Sequence, residues 1–290
     1  MSALANDESR LKKEFLFTDK DFYYLSQLAN DMAGIKLSEA KRELVYGRLS
    51  KRLRILGLSS FEQYCDRLRE GEDGDEEFTH FINSITTNVT SFFRENHHFE
   101  FLANELIPGH IKTNSGTSQP RLRIWSAGCS SGKEPYSIAI TLRGAIPDIR
   151  NWDAKILATD LDSNILDIAR KGVYPEEKVD EIPPQIRKKW FMEGKGNNAG
   201  TIKVSDDVRN MVTFNQLNLT DEWPLKGIFD AIFCRNVTIY FDKATRIKLL
   251  DRFAEHLTPN GHLFVGHSES LFGLSNRFVT VGRTIHRKIA

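Results

Sequence analysis

The stretch RLRIWSAGCSSGKEPYSIAI, residues 121–140, decides the fold of the larger part of this chain. RLRIWSA is a short run typical of a β-strand, and a loop with Gly128 and Gly132 follows it. Pro135 favours the first turn of a helix, which we predict from Pro135 to Gly144. Open parallel sheets that bind nucleotide-like ligands commonly begin with this order of strand, glycine loop and helix. The stretch therefore predicts an α/β domain with a ligand site at the loop.

Strands and helices alternate downstream of this stretch, as a parallel sheet with crossover helices requires. Further strands are predicted at AKILATD (154–160), FDAIFCR (229–235) and HLFVGH (262–267), with a last strand or hairpin in RFVTVGRTIHRKIA (277–290). The sequence therefore indicates an α/β fold with a mainly parallel sheet.

Changes in sequence character divide the chain into segments. Residues 1–15 are polar and are predicted to form a disordered tail, and 16–86 read as helices separated by short turns. Residues 87–120 form a linker and a helix, and 121–290 form the α/β domain. Within that domain, glycine-rich turns and short alternating strands predict a small antiparallel β-subdomain at 187–217.

Composition and charge exclude several classes of protein. The chain has 290 residues, a formal net charge of +1 and three cysteines without metal-site spacing. We therefore expect free thiols, no metal and no whole-molecule attraction to nucleic acid. No apolar run approaches the length of a membrane span, and the start of the chain lacks a signal-peptide core. We expect a monomeric protein in the cytoplasm.

The loop after the first strand argues for a particular kind of ligand. It lacks the G-x-G-x-x-G pattern, and Glu134 stands at the start of the helix, where a pyrophosphate needs bare amide groups. A carboxylate there would repel a phosphate but suit the ammonium group of an amino-acid moiety. S-adenosylmethionine carries such a group and no phosphate, which favours it over a dinucleotide.

Three further segments complete a predicted cofactor pocket. Asp160 ends the second strand, where an acid can accept hydrogen bonds from both ribose hydroxyls. Asn218 and Leu219 follow a strand-like run at the expected place of the adenine ring. Asn236 and Val237 follow the strand FDAIFCR and would face the cofactor near its sulfonium.

Five motifs in order make the sequence resemble the CheR family of chemotaxis-receptor glutamate O-methyltransferases. They are TTNVTSFFRE (86–95), AGCSSGKEPYSIAI (127–140), ATDLD (158–162), CRNVTIYFD (234–242) and GHSES (266–270). The resemblance covers the chain from about residue 18. It implies a helical N-terminal domain that recognises the receptor, followed by a Rossmann-like methyltransferase domain dependent on S-adenosylmethionine, which becomes S-adenosylhomocysteine.

The resemblance also assigns site residues. It implies cofactor contacts at Asn88, Thr90, Arg94, Glu134, Asp160, Asn218, Leu219, Asn236 and Val237, and it places Arg94 and Tyr240 nearest the transferring methyl. The chemistry agrees, since a glutamate with a pKa of about 4.3 is ionised at neutral pH and needs no strong base. Arg94 could hold a carboxylate by paired hydrogen bonds.

Two regions are candidates for receptor recognition. On the predicted helix Glu39–Leu56, one flank of an apolar stripe carries the basic residues Lys41, Arg48, Lys51 and Arg52. These suit a glutamate-rich receptor helix, although charge runs are often only solvated faces. In the family the β-subdomain can pair with the C-terminal peptide of the receptor, and Gly194, Gly196 and Gly200 match that pattern. A plain hairpin would need the same glycines.

Three alternatives remain open on the sequence alone. A nucleic-acid methyltransferase that modifies amino groups usually carries N/D-P-P-Y/F where this chain has RNVTIYF. A catalytically silent receptor-binding adaptor could keep the fold without the activity, but the pocket residues are intact. A nicotinamide-dependent oxidoreductase is disfavoured by Glu134.

Overall fold

A computed structural model describes residues 13–71, 75–86, 88–114, 116–179 and 181–289. The chain divides into two compact units, 1–86 and 87–290. None of the helices in these described ranges is long and apolar enough to cross a membrane.

The described residues of the first unit form helices and the turns that join them. Its helices are α1 (Asp19–Ala33), α2 (Arg42–Leu56), α3 (Phe61–Glu70) and α4 (Asp75–Ile85). The predicted helix from Glu39 begins as a 3-10 turn and becomes α-helical only at Arg42. Val45, Leu49 and Leu53 are buried, so the apolar stripe predicted for α2 contributes to the core of this unit.

The prediction of a disordered tail over residues 1–15 lies outside the described residues as far as residue 12. For its last part the structure differs, because Phe15 is 7% exposed and its ring packs edge-on against Phe61. An aromatic side chain within reach of the helical core is stabilised by burial, which a polar average over fifteen residues conceals.

The second unit contains a seven-stranded sheet, a three-stranded sheet and seven α-helices within its described residues. The helices are α5 (His97–Phe101), α6 (Ile107–Thr113), α7 (Lys133–Ala145), α8 (Ser163–Lys171), α9 (Pro184–Trp190), α10 (Asp206–Arg209) and α11 (Lys243–His256). The strands are β1 (Arg121–Ala127), β2 (Asp153–Asp160), β3 (Val173–Pro175), β4 (Phe191–Glu193), β5 (Thr201–Val204), β6 (Val212–Gln216), β7 (Phe229–Cys234), β8 (Leu257–Val265), β9 (Phe278–Gly282) and β10 (Ile285–Lys288).

The large sheet has the order β6-β2-β1-β7-β8-β10-β9. Its first five strands in that order are parallel, and the C-terminal hairpin adds β10 antiparallel to β8. The predicted Rossmann-like α/β fold is confirmed. The chain runs from β1 outward to β6, then returns to β7 beside β1, so the strand order reverses between β1 and β7. Open α/β sheets commonly bind ligands at such a reversal.

The β-subdomain has different limits from the predicted 187–217. Its sheet, β3-β5-β4, begins at Val173 and ends at Val204. The later run Val212–Gln216 instead pairs parallel with β2 in the large sheet. An alternating strand pattern does not specify its partner, so the assignment depended on tertiary pairing.

The segment 87–120 was predicted as a linker with a helix, and its described residues include several that are packed into the core of the second unit. Their helical part runs through α5, a π-helical turn (Leu102–Leu106) and α6. Phe92, Phe99 and Ile107 are buried in the same core as strands β1 and β7.

Candidate active site

The candidate site lies at the carboxyl ends of the parallel strands. The segments that follow β1, β2, β6, β7 and β8 all leave the sheet at this edge. The predicted cofactor residues from Glu134 to Val237 lie in these segments or, for Asp160, at the last position of β2. Since carboxyl ends of neighbouring parallel strands meet at one edge, residues spread over a hundred positions of sequence come together.

The loop between β1 and α7 is held close to the loop after β7. Gly128 has φ +83°, and a Cβ built on it would lie 2.3 Å from Cγ2 of Val237. Its amide donates to the carbonyl of Thr159 on β2 over 2.8 Å. Only glycine permits both the backbone conformation and the approach of the valine.

Asp160, at the end of β2, braces the same loop. Its Oδ2 accepts the amide of Ser130 over 2.7 Å, and its Oδ1 accepts the amide of Asp162 over 3.0 Å. Burial raises the pKa of Asp160 to about 6, against the lowering effect of these hydrogen bonds. The contacts described for this carboxylate are therefore with the backbone of the two loops beside it, and its ribose contact stays a prediction.

Glu134 is tied to β1 and to the residue after β7. Its Oε1 accepts the hydroxyl of Ser126 over 2.7 Å, and its Oε2 accepts Nη1 of Arg235 over 3.0 Å. Burial raises the pKa of this carboxyl, while the Arg235 charge and the Ser126 hydrogen bond lower it. Glu134 therefore joins the two central strands, whatever ligand it also contacts.

Arg235 is the centre of a buried ionic cluster that the sequence analysis did not single out. Its side chain is 2% exposed, and Nη2 lies 3.3 Å from Oε2 of Glu95 and donates to the carbonyl of Arg94. The signal in the sequence that could have identified Arg235 was its charge directly after the mostly apolar strand FDAIFC. Glu95, at the end of the motif TTNVTSFFRE, was missed as well.

The motif that precedes α5 lies against the cofactor loop. Nδ2 of Asn88 donates to Oδ2 of Asp162 over 2.8 Å, and the carbonyl of Asn88 accepts the Ser130 hydroxyl over 3.4 Å. Nη1 of Arg94 donates to the carbonyl of Val89 over 2.9 Å. Thr90 is half-buried between them. The structure thus places Asn88, Thr90 and Arg94 on one segment beside the loop.

The segment after β6 forms a tight turn. Oδ1 of Asn218 accepts the amide and the hydroxyl of Thr220, over 3.1 and 2.8 Å. Leu219 is 8% exposed, and its carbonyl accepts Nη1 of Arg252 over 3.0 Å. The apolar Leu219 side chain is therefore fixed at the carboxyl edge of β6.

The segment after β7 carries the remaining predicted residues. Asn236 has φ +61°, an uncommon conformation for a residue with a side chain. The amide of Tyr240 donates to the carbonyl of Val237 over 3.1 Å. Asn236, Val237 and Tyr240 are half-buried and belong to one short turn, so the structure brings them together.

Two of the four basic residues predicted to form a flank of α2 bind other groups of the helical unit. Nη1 of Arg48 donates to the carbonyls of Ile85 and Thr86, over 2.9 and 2.6 Å, at the end of α4. Arg52 forms a two-point ion pair with Glu77, with Nε–Oε1 and Nη2–Oε2 distances of 3.0 and 2.5 Å. Both arginines fasten α2 to α4. Lys41 is half-buried, and Lys51 is exposed.

The three glycines of the β-subdomain are needed by its own hairpin. A Cβ on Gly194 would lie 2.0 Å from the carbonyl oxygen of Asn198, and Gly196 and Gly200 have φ of +59° and +79°. The turn between β4 and β5 therefore accounts for them without a peptide ligand.

The donor set of the pocket suits S-adenosylmethionine better than a dinucleotide. The Ser130 amide, which a phosphate would need, already donates to Asp160. The carboxylates of Glu134 and Asp160 flank the loop and favour hydroxyl and ammonium donors over phosphate oxygens. Among the residues that the structure describes, no group of three or more His, Cys, Asp or Glu side chains could hold a metal ion.

Comparison with known proteins agrees with this geometry. The family model described as CheR methyltransferase, SAM binding domain, matches residues 88–286, and the CheR methyltransferase all-alpha domain matches 20–86. S-adenosylmethionine is therefore the cofactor of the second unit.

Full-length relatives support the same assignment. The chain is 46% identical over 256 residues to a probable chemotaxis protein methyltransferase of Rhizobium etli, which covers 88% of this chain and 94% of that protein. It is 44% identical to chemotaxis protein methyltransferase 2 of Pseudomonas aeruginosa (94% and 95% covered) and 42% identical to the chemotaxis protein methyltransferase of Escherichia coli (96% and 93%). The two family-model matches and the relatives at 42–46% identity show that this chain belongs to the CheR methyltransferase family.

Proposed function

We propose that this protein transfers the methyl group of S-adenosylmethionine to glutamate side chains of chemotaxis receptors and so forms glutamyl methyl esters. The observation that carries the proposal is the guanidinium of Arg94, which is anchored at the pocket edge through the Val89 carbonyl. A fixed cation at this edge is suited to a substrate that arrives as a carboxylate.

The residues would act by orientation more than by proton transfer. A glutamate carboxylate is already ionised at neutral pH and is therefore nucleophilic without a base. When bound, S-adenosylmethionine supplies a methyl group on a sulfonium sulfur, which a carboxylate oxygen can accept. Arg94 and Tyr240 would hold the reacting groups in line, and alignment of this kind lowers a barrier by roughly 7–11 kcal/mol.

Asn88, Thr90, Asp160, Asn218, Leu219, Asn236 and Val237 would hold the cofactor. Asp160 would accept its ribose hydroxyls, Leu219 would contact its adenine, and Glu134 would face its ammonium group. The assignments of Asn88 and Thr90 rest on the position of their segment beside the cofactor loop. The other assignments rest on the position of each residue near the carboxyl edge of the sheet.

The helical unit would receive a receptor helix on the outer face of α2. Leu44 and Ile55 are 39% and 73% exposed, and the exposed Lys51 lies between them on the same helical face. A face that combines apolar contact with a positive charge complements an amphipathic, glutamate-rich helix. Lys51, rather than Arg48 or Arg52, is the basic residue available for this contact.

The three-stranded sheet would add the C-terminal peptide of a receptor as a further strand at one of its edges. Strand β5 is central, so β3 and β4 are the edges within this sheet. Backbone hydrogen bonds to an edge strand are a common mode of peptide capture. A titration with a receptor-tail peptide that gives no binding isotherm would remove this part of the proposal.

Transfer to glutamate can be tested directly. The protein is incubated with methyl-labelled S-adenosylmethionine and receptor-containing membranes, and the products are then treated with base. We expect label on the receptor that is released as methanol, as an ester requires. Base-stable label, or label on nucleic acid added in parallel, would contradict the proposal, and receptor with glutamine at the methylated positions is the control.

We also propose that the enzyme acts as a monomer in the cytoplasm, because receptor helices carrying these glutamates are expected there. Light scattering during size-exclusion chromatography tests the first point, and a mass near 33.2 kDa is expected. A stable dimer would contradict it.

A further inference from the structure

The carboxylate of Glu269 accepts hydrogen bonds from four backbone amides and one hydroxyl group. It lies in GHSES after β8 and is 5% exposed. Its Oε2 accepts the amides of Asn236 and Gly266, over 2.8 and 2.5 Å. Its Oε1 accepts the amide and the hydroxyl of Thr238, over 2.7 and 2.8 Å, and the amide of Val237 over 3.0 Å.

Three of these donors are consecutive amides of the segment that follows β7. One carboxylate therefore fixes the backbone of Asn236, Val237 and Thr238 at the same time. Hydrogen bonds between backbone amides and a buried carboxylate are among the strong ones in proteins, because the acceptor carries a charge.

The conformation held in this way is not one the segment would adopt freely. Asn236 has φ +61°, which a residue with a side chain adopts only at some cost. The next residue, Val237, places Cγ2 against the backbone of Gly128 in the cofactor loop. An anchor that pins both residues thus sets the distance between the two loops that line the pocket.

The segments after β7 and β8 also contact each other directly. A Cβ built on Gly266 would lie 2.4 Å from Nδ2 of Asn236 and 2.9 Å from Oε2 of Glu269. The glycine thus lets the second segment approach the first closely enough for the carboxylate to reach all its donors.

We propose that Glu269 is a positioning residue for the cofactor, which acts by holding Asn236 and Val237 in their binding conformation. The inference rests on the proposed cofactor contacts of those two residues and extends them to a buried residue that would act through their backbone. A glutamate needed only for stability would leave cofactor affinity in the folded protein unchanged.

The test is the affinity of the full-length Glu269→Gln variant for S-adenosylhomocysteine, measured by isothermal titration calorimetry well below its thermal unfolding midpoint. Glutamine has the same size but replaces one carboxylate oxygen with an amide donor, which faces N–H groups. We expect the Kd to rise about ten- to a hundredfold, since lost charge-assisted hydrogen bonds have effects of this size.

Asp230→Asn is the matched control. Asp230 stands near the opposite end of β7, and its Oδ2 accepts the amide of Arg123 over 2.8 Å. This variant makes the same chemical change to another carboxylate that holds backbone, and its Kd should stay within about twofold of wild type while its stability falls.

A milder variant tests the positioning role of Glu269 even if Glu269→Gln does not fold. Thr238→Val removes one hydroxyl donor from Oε1 and keeps the shape and the backbone amide, so we expect a Kd increase of about two- to fivefold. A lower unfolding midpoint with unchanged Kd in the folded variant would overturn the proposal. Because the assay contains no receptor, failure of glutamate methylation in wild type would not affect this outcome.

Discussion

Nη1 of Arg235 lies 3.0 Å from Oε2 of Glu134, although the two residues are separated by 101 positions in the sequence. This buried ion pair joins the residue after β7 to the first turn of α7 and so fixes the two central loops of the pocket. The same arginine reaches Glu95 and the carbonyl of Arg94. The segment that carries Arg94 and Glu95 and the loop before α7 are therefore both joined to one guanidinium.

Loss of this guanidinium should destabilise the second unit strongly. We expect Arg235→Met to lower the free energy of unfolding by about 3–5 kcal/mol, because two carboxylates then remain buried without their partner. All four tryptophans lie in the second unit, so tryptophan fluorescence during urea denaturation reports on it. The double variant Arg235→Met with Glu134→Gln should recover part of the loss. Equal loss in the single and double variants would contradict this coupling.

A methyl group on Gly128 should impair cofactor binding. Its Cβ would lie 2.3 Å from Cγ2 of Val237, and the φ of +83° is unfavourable for alanine. We expect Gly128→Ala to weaken S-adenosylhomocysteine binding, as measured by calorimetry. Val237→Ala in the Gly128→Ala background should relieve the steric part only, so the two changes should not be additive. Strict additivity would show that the loops do not contact each other as described.

Cofactor affinity should depend on pH through Asp160. Its pKa is raised to about 6, and the ionised form is the better acceptor for ribose hydroxyls. We therefore expect the Kd of S-adenosylhomocysteine to rise as the pH falls below about 6, approaching about tenfold per pH unit. Calorimetry between pH 5 and 8 measures this, and Asp160→Asn should bind weakly with a flat profile.

The raised pKa of Asp160 makes the ligand-free protein less stable as the pH rises, whereas the same rise in pH makes cofactor binding stronger. Because the folded-state pKa of Asp160 is raised, the folded state binds more protons than the unfolded state between the usual value of 3.8 and about 6. This group therefore favours folding at low pH, and that contribution is lost as the pH rises through about 6. Asp160→Asn should remove this part of the pH dependence in urea titrations.

Charge reversal at Lys51 should slow receptor methylation without affecting the cofactor. Lys51 is exposed on the outer face of α2, so Lys51→Glu would place a like charge against a glutamate-rich helix. We expect a higher KM for receptor and an unchanged Kd for S-adenosylhomocysteine. Lys226→Glu, which makes the same charge change in the exposed segment before β7, is the control. An unchanged KM would argue against docking on this face.

Arg52 should matter for the helical unit itself. Its partner Glu77 is 4% exposed, so Arg52→Ala leaves a buried carboxylate unpaired and should cost about 3 kcal/mol. Amide hydrogen exchange of peptides from α2 and α4 in the full chain measures this loss. Arg54→Ala, which breaks the exposed pair with Glu14, should change exchange little. Similar exchange in both variants would contradict the structural role of Arg52.

The order of most strands and helices followed from local patterns, and these patterns also led to the prediction that the cofactor binds where the parallel strands end. Strand, glycine loop and helix at residues 121–140 predict a parallel sheet, and ligands bind where such strands end. Glu134 and Asp160 were identifiable because each stands at the end of one recognisable element. The limits of the β-subdomain were not, because the short β3 has no periodic signal and β6 reads equally well in either sheet.

Sequence alone determined the fold class, the family and the residues at the strand ends, since these depend on periodicity and on side-chain chemistry within short windows. Only the tertiary structure showed which charged side chains bind other groups within the protein. The sequence pattern of Arg48 and Arg52 predicts a docking surface, but in the structure both side chains bind groups in or just after α4. Arg235 and Glu269 follow strands, and no local pattern distinguishes them from other residues in such positions. Burial and distance between segments remote in sequence set these roles, and neither quantity is encoded in a local pattern.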